Sequence, residues 1–135
     1  MDYVIIDGRK WNVLVTNIEE SYSILYSDNS GRTISQGAPM VLDPLGTFFN
    51  YKITFARKRY HEKEFDELFD FLSLPRYDGI DVNIIHGQQL WDKPFKAYVS
   101  SGARAVKRID TNTKRVYWDS FTANIVPIEA QVKPL

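Results

Sequence analysis

The stretch YHEKEFDELFDFLSL, residues 60–74, sets the fold class. Phe65, Leu68, Phe69 and Leu72 recur at helical spacing and share one face with His61, while Glu62, Lys63, Asp66, Glu67 and Asp70 fall on the other. Pro75 stops the pattern, because a proline pushes the residue before it out of the helical region. On both sides of this segment apolar and polar residues alternate instead. The clearest case is residues 47–57, where Phe49, Tyr51, Ile53 and Phe55 alternate with Asn50, Lys52 and Thr54. A lone helix among strands has to bury its apolar face against a sheet layer. The expected fold is therefore mostly β (α+β), a β-sandwich or open barrel with a single amphipathic α-helix packed on it.

Ahead of this segment, residues 3–6 and 11–18 read as two strands joined at Asp7-Gly8, a strong hairpin signal. Residues 21–26 form a further strand candidate, followed by the turn-favouring residues 27–31. From residue 31 to 46 the pattern is irregular: Gly37, Pro39, Pro44 and Gly46 interrupt the apolar residues Ile34, Met40, Val41, Leu42 and Leu45. A long loop with that apolar content packs on something, either in its own subunit or in a neighbour. Beyond the helix, residues 77–79 turn into a strand at 80–85, and another strand runs through Phe95, Ala97 and Val99. Ser101-Gly102 reads as a turn into residues 103–109, and residues 110–113 connect to a last strand over 115–128. Pro127 near its end fits an edge or terminal position. No repeat and no low-complexity segment interrupts this order, so residues 1–135 are expected to form a single domain.

A chain of 135 residues is long enough to bury roughly two-thirds of the surface its unfolded form exposes. Lysine and arginine number 17, as do aspartate and glutamate, so total charge supplies no general attraction to phosphate backbones or anionic lipid, and nucleic acid is not an expected partner. The chain contains no cysteine, which excludes disulfides, thiolate metal sites and cysteine nucleophiles. Its opening residues turn polar at Asp7 and are too short and acidic for a signal peptide. No apolar run approaches the roughly 20 residues of a membrane-spanning helix, so the protein is expected to be soluble, with no membrane partner.

Catalytic constellations are missing from the sequence. Its two histidines, His61 and His86, have no recognised metal-ligand spacing to Asp78 or Asp81. Asp28-Asn29-Ser30-Gly31 resembles part of a calcium loop but lacks the acidic series and the distant glutamate. There is no nucleophile elbow and no phosphate-cradling glycine loop. Paired carboxylates such as Glu19-Glu20 and Glu64 with Asp66 or Glu67 are material for acid/base work on a glycan, but those on the helix read as its solvated face. No enzyme, metal or cofactor is expected. Trp11, Trp91 and Trp118, with the basic runs at 57–59, 107–108 and 114–115, supply an alternative, a carbohydrate- or nucleic-acid-binding β module.

The order of certain words along the chain is distinctive: YVIIDGRKW at 3–11, GRT at 31–33, GTFFNYKITF at 46–55, FDELFDFLSLP at 65–75 and AYVSSG at 97–102. In these it resembles a family of small prophage proteins encoded with tail genes in Gram-positive bacteria. The resemblance implies a non-enzymatic structural component of a phage or prophage tail (tail tube, distal tail or baseplate region), related in fold to tail-tube and distal-tail proteins. Such proteins assemble into rings, commonly hexameric. The implied partners are further copies of the chain and other tail proteins, and the implied location is the virion tail, assembled in the bacterial host cytoplasm. Within that reading, Arg32, Ile34, Met40, Val41, Leu42 and Leu45 form the candidate assembly loop.

Overall fold

The computed structural model describes residues 3–27, 30–32, 37 and 39–135. The elements run β1 (Val4–Ile6), β2 (Leu14–Tyr26), β3 (Gly31–Arg32), β4 (Met40–Val41), β5 (Pro44–Ala56), α1 (Glu62–Ser73), β6 (Ile80–His86), β7 (Gln89–Leu90), β8 (Phe95–Asp110) and β9 (Arg115–Pro127). Seven strands make one antiparallel sheet in the order β1-β6-β8-β9-β5-β2, with β7 paired to β6, and β3-β4 form a separate small ladder. This sheet curls without closing, giving a half-barrel with one short helix. Of the two expected arrangements it is the open one.

Local signals explain both the agreements and the departures. Asp7 (φ 55°) and Gly8 (φ 71°) do form the tight turn, with Ile6 and Arg9 exchanging both backbone hydrogen bonds at 3.1 and 3.0 Å. The hairpin ends there, however: β1 pairs with β6 and β2 pairs with β5. Residues 14–26 are one strand rather than two, the register shift between Val15 and Asn17 being the only break before Leu25. Ser101-Gly102 likewise makes no turn. Ser100 is an extra residue between the pairs Val99–Ile125 and Ser101–Asn124, so β8 bends through a bulge and continues. Pro127 is the last residue of β9, where a missing N–H costs no further ladder bond.

The inner face of the sheet and the apolar face of α1 make the core. Tyr51, Ile53 and Phe55 of β5, Phe121, Ala123 and Ile125 of β9, and Ile80, Val82 and Ile84 of β6 are all buried against Phe65, Leu68 and Leu72 of the helix. Phe121 is the hub. It stacks on Phe55 at 4.9 Å between centroids and takes Phe65 and Phe69 edge-on at 5.1 and 5.3 Å. Two ion pairs orient the helix from its polar side, Arg9 with Glu64 at 2.6 Å and Arg104 with Asp66 at 2.9 Å. The hydrogen bonds from Arg9 and then Asn12 hold the Glu64 carboxyl below the usual carboxylate range. At the C-terminal end Arg76 donates to the carbonyls of Phe71 (2.5 Å) and Leu74 (3.0 Å), a side-chain substitute for the missing turn.

Removing the hub tests this packing. Phe121→Ala deletes a ring that is 1% exposed and is expected to lower unfolding free energy by about 3–5 kcal/mol in urea denaturation, with an unchanged m-value.

Candidate assembly surface

A half-barrel leaves its two ends unjoined, and here a side-chain network spans the gap. Glu20 on β2 accepts from Tyr51 Oη of β5 at 2.5 Å and pairs with His86 Nδ1 at the end of β6 at 2.9 Å. Trp91 Nε1 donates to the same tyrosine oxygen at 2.7 Å. The His86 ring lies flat on Trp91, 3.9 Å between centroids and 9° between planes, and Phe49 meets both rings edge-on. In the sheet, β2 and β6 are separated by three strands, so Glu20–His86 is a contact across the mouth of the curl. Burial, reinforced by the bond to Glu20, pushes the Tyr51 phenol above its ordinary value and keeps it a neutral donor.

Beyond this wedge the tip of the β2-β5 ladder is largely exposed among the described residues. Tyr22 pairs with Phe49 and Ile24 with Thr47, which places them on the same sheet face as Glu20 and Tyr51. Tyr22 is 68% exposed, and Ile24, Leu25 and Tyr26 are exposed as well. The neck of the following excursion is tied down: Ser27 N–H donates to Asp43 O at 2.9 Å, Asp43 N–H donates to Ser30 Oγ at 2.8 Å, and the Ser27 hydroxyl bonds the Asp43 carboxylate. On the other side of β5 the C-terminal segment acts as a short extra strand. Thr47 bridges Val132, and the Gln131 side-chain amide both accepts from Phe49 N–H and donates to Phe49 O, each at 3.0 Å. Gly46 (φ 150°) permits this close approach, since a Cβ there meets Ala130 Cβ at 2.6 Å.

The six residues expected to form an assembly loop are distributed as follows. Arg32 and Met40 pair through their backbones in the β3-β4 ladder, with Val41 opposite Gly31. Leu42 links that ladder to β5, and Leu45 is the second residue of β5. Met40, Val41, Leu42 and Leu45 are about half exposed. Ile34 lies outside the described residues, as do Asp28 and Asn29 of the calcium-like turn. The residues that sequence reasoning missed are 21–26. They were legible as a strand, but the signal that matters is the lack of any charge along them, on a strand whose outer edge has no partner among the described residues.

The candidates for chemistry do not converge. His61 sits at the helix start, 3.6 Å from Glu64, whereas His86 at the end of β6 pairs with Glu20 of β2. Among the described residues no three His, Asp or Glu side chains gather as a metal site, and no helix is long and apolar enough to cross a membrane. Each tryptophan ring already has a partner: Arg9 over Trp11 at 3.9 Å, His86 on Trp91, and Arg104 over Trp118 at 4.0 Å. No protein-family model matches the sequence, and no curated protein matches it significantly.

Tyr51→Phe leaves Trp91 N–H without its acceptor and takes one of two partners, the other being His86, from Glu20, and is expected to cost about 1–3 kcal/mol in chemical denaturation. The same variant tests the phenol by pH. Below about pH 10 the folded and unfolded chains both keep this proton; above it the unfolded chain releases the proton while the folded one holds it, so wild-type stability falls as pH rises. In Tyr51→Phe that alkaline decline is expected to be shallower, measured as melting temperature between about pH 8 and 11.

Proposed function

We propose that the chain is a non-enzymatic structural component of a phage or prophage tail, in the tail tube, distal tail or baseplate region, working by self-assembly or docking to other tail proteins. The observation that carries this reading is the uncovered β2-β5 arm. A 13-residue edge strand ends in six uncharged residues, and beside it stand Met40, Leu42 and Leu45 with about half of their surface exposed. Edge strands of soluble domains are ordinarily blunted by charge, proline or a covering element. Here Glu19 and Glu20 blunt the rooted half only. An edge with no partner strand among the described residues and an apolar patch beside it suit a heterologous contact, in which one copy's arm lies on a different surface of the next. Repeated with a rotation that closes, such a contact gives a ring, in keeping with the resemblance to tail proteins.

Light scattering over a range of protein concentrations tests it. Wild-type protein is expected to show an average mass that rises with concentration to a defined multimer, and Ile24→Lys with Leu42→Asp to stay monomeric with an unchanged circular dichroism spectrum. A wild-type protein that remains monomeric throughout, or a folded variant with wild-type mass, overturns self-assembly through the arm.

A further inference from the structure

The charges that cancel in total are not spread evenly. The basic run at 57–59 and the pairs at 107–108 and 114–115, seven of the 17 lysines and arginines, belong to the β8-β9 hairpin end and the β5-α1 connection beside it. The guanidinium groups of Arg57 and Arg108 both lie over the Tyr117 ring, at 5.4 and 4.4 Å. Arg115 is two residues from Tyr117 along β9, hence on the same face of the hairpin. Together with Lys58, Arg59 and Trp118, the residues Arg57, Arg115 and Tyr117 line an open cleft of about 540 Å³. None of the seven forms an ion pair among the described residues. Of the neighbouring carboxylates, Asp66 holds Arg104, and Asp110 accepts from the backbone N–H groups of Thr113 and Asn112 at 3.3 and 3.0 Å while also feeling the charge of Arg115. Of the seven, Arg57, Lys58, Arg59 and Arg115 line the cleft itself, against the carboxylates of Glu62 and of Asp66, the latter paired with Arg104, so basic groups outnumber acidic ones on its wall.

A second observation singles out the adjoining turn. Tyr60 holds a left-handed backbone (φ 69°), which costs a non-glycine residue roughly 1–2 kcal/mol, yet its ring is 80% exposed and recovers little by burial. The Arg59 guanidinium lies 4.9 Å from that ring. Unlike the tryptophan rings, this one stays largely in solvent although Arg59 lies over it, and an exposed ring among guanidinium groups matches the way single strands are held, with cations along the phosphates and a base on a ring.

We propose that the cleft between the β5-α1 connection and β9 binds single-stranded nucleic acid, with Arg57, Arg108 and Arg115 on the phosphates and Tyr60 stacking a base. The exposed aromatic favours this ligand over an acidic protein segment, which has carboxylates for the guanidiniums but no flat ring for Tyr60. The site lies apart from the assembly arm, so it stands or falls independently of the tail reading.

Fluorescence anisotropy of a labelled oligo-dT of about 20 nucleotides with the full chain at low salt is the test, with polyglutamate as competitor. Binding is expected to weaken with salt, and Arg57→Gln with Arg108→Gln to reduce the slope of log affinity against log salt by about 0.7 for each phosphate no longer neutralised. Tyr60→Gly suits the left-handed backbone, so the fold persists, and it is expected to weaken oligo-dT binding about fivefold or more through loss of stacking. Three results overturn the proposal: no oligo-dT binding at low salt, binding unaltered in both folded variants, or displacement by polyglutamate as effective as by unlabelled oligo-dT at equal charge.

Discussion

The apolar inner face of an open, curled sheet has to be shielded from water along its whole length, and this chain shields only part of it. Over β6, β8, β9 and the second half of β5 the shield is α1, through Phe65, Leu68 and Leu72. Over the middle of β2 and β5 it is the wedge of His86, Trp91 and Phe49, fixed by the carboxylate of Glu20. A single residue thus does two things: Glu20 accepts a hydrogen bond from the Tyr51 hydroxyl that burial keeps protonated, and it draws β6 toward β2. Past the wedge the C-terminal segment follows β5 at Thr47 and Phe49, whereas the free edge of β2 has no partner strand among the described residues. Tyr22, Ile24 and Tyr26 continue the ladder with their side chains exposed, and the proposed self-assembly rests on that surface.

How much of this was legible in the sequence depended on whether the signal was periodic. Phe65, Leu68, Phe69 and Leu72 declare α1, and Phe49, Tyr51, Ile53 and Phe55 declare β5, because each pattern repeats at the spacing of its element. Asp7-Gly8 declared a turn and overstated its consequence: left-handed residues fix the reversal of the chain but not which strand becomes the partner. Ser101-Gly102 misled for the opposite reason, since small residues suit a bulge as well as a turn and only the register with β9 distinguishes them. Met40, Leu42 and Leu45 stood out as apolar residues among glycines and prolines. Residues 21–26 did not, because an alternating uncharged strand looks the same whether its edge is covered or bare. The wedge was beyond reach, its members Glu20, Tyr51, His86 and Trp91 being brought together by the curl of the sheet alone.

Charge shows the same distinction between sum and placement. Equal totals of acidic and basic residues describe the chain as a whole, whereas the hairpin β8-β9 and the connection after β5 bring three basic runs to one end. The tryptophans, conspicuous in the sequence as stacking platforms, are taken up inside the fold by Arg9, His86 and Arg104. Among several exposed tyrosines, Tyr60 is marked by its backbone, and a left-handed φ at a non-glycine residue is invisible to composition.

Hydrogen–deuterium exchange of residues 14–26 and 40–48, followed as protein concentration is raised, tests most directly whether the bare arm is an assembly surface. If it is, the tip of β2 exchanges rapidly in dilute protein and gains protection with concentration, while the amides of β9 stay equally protected throughout. Exchange at the tip that is independent of concentration, with protection growing elsewhere or nowhere, rules the arm out as that surface.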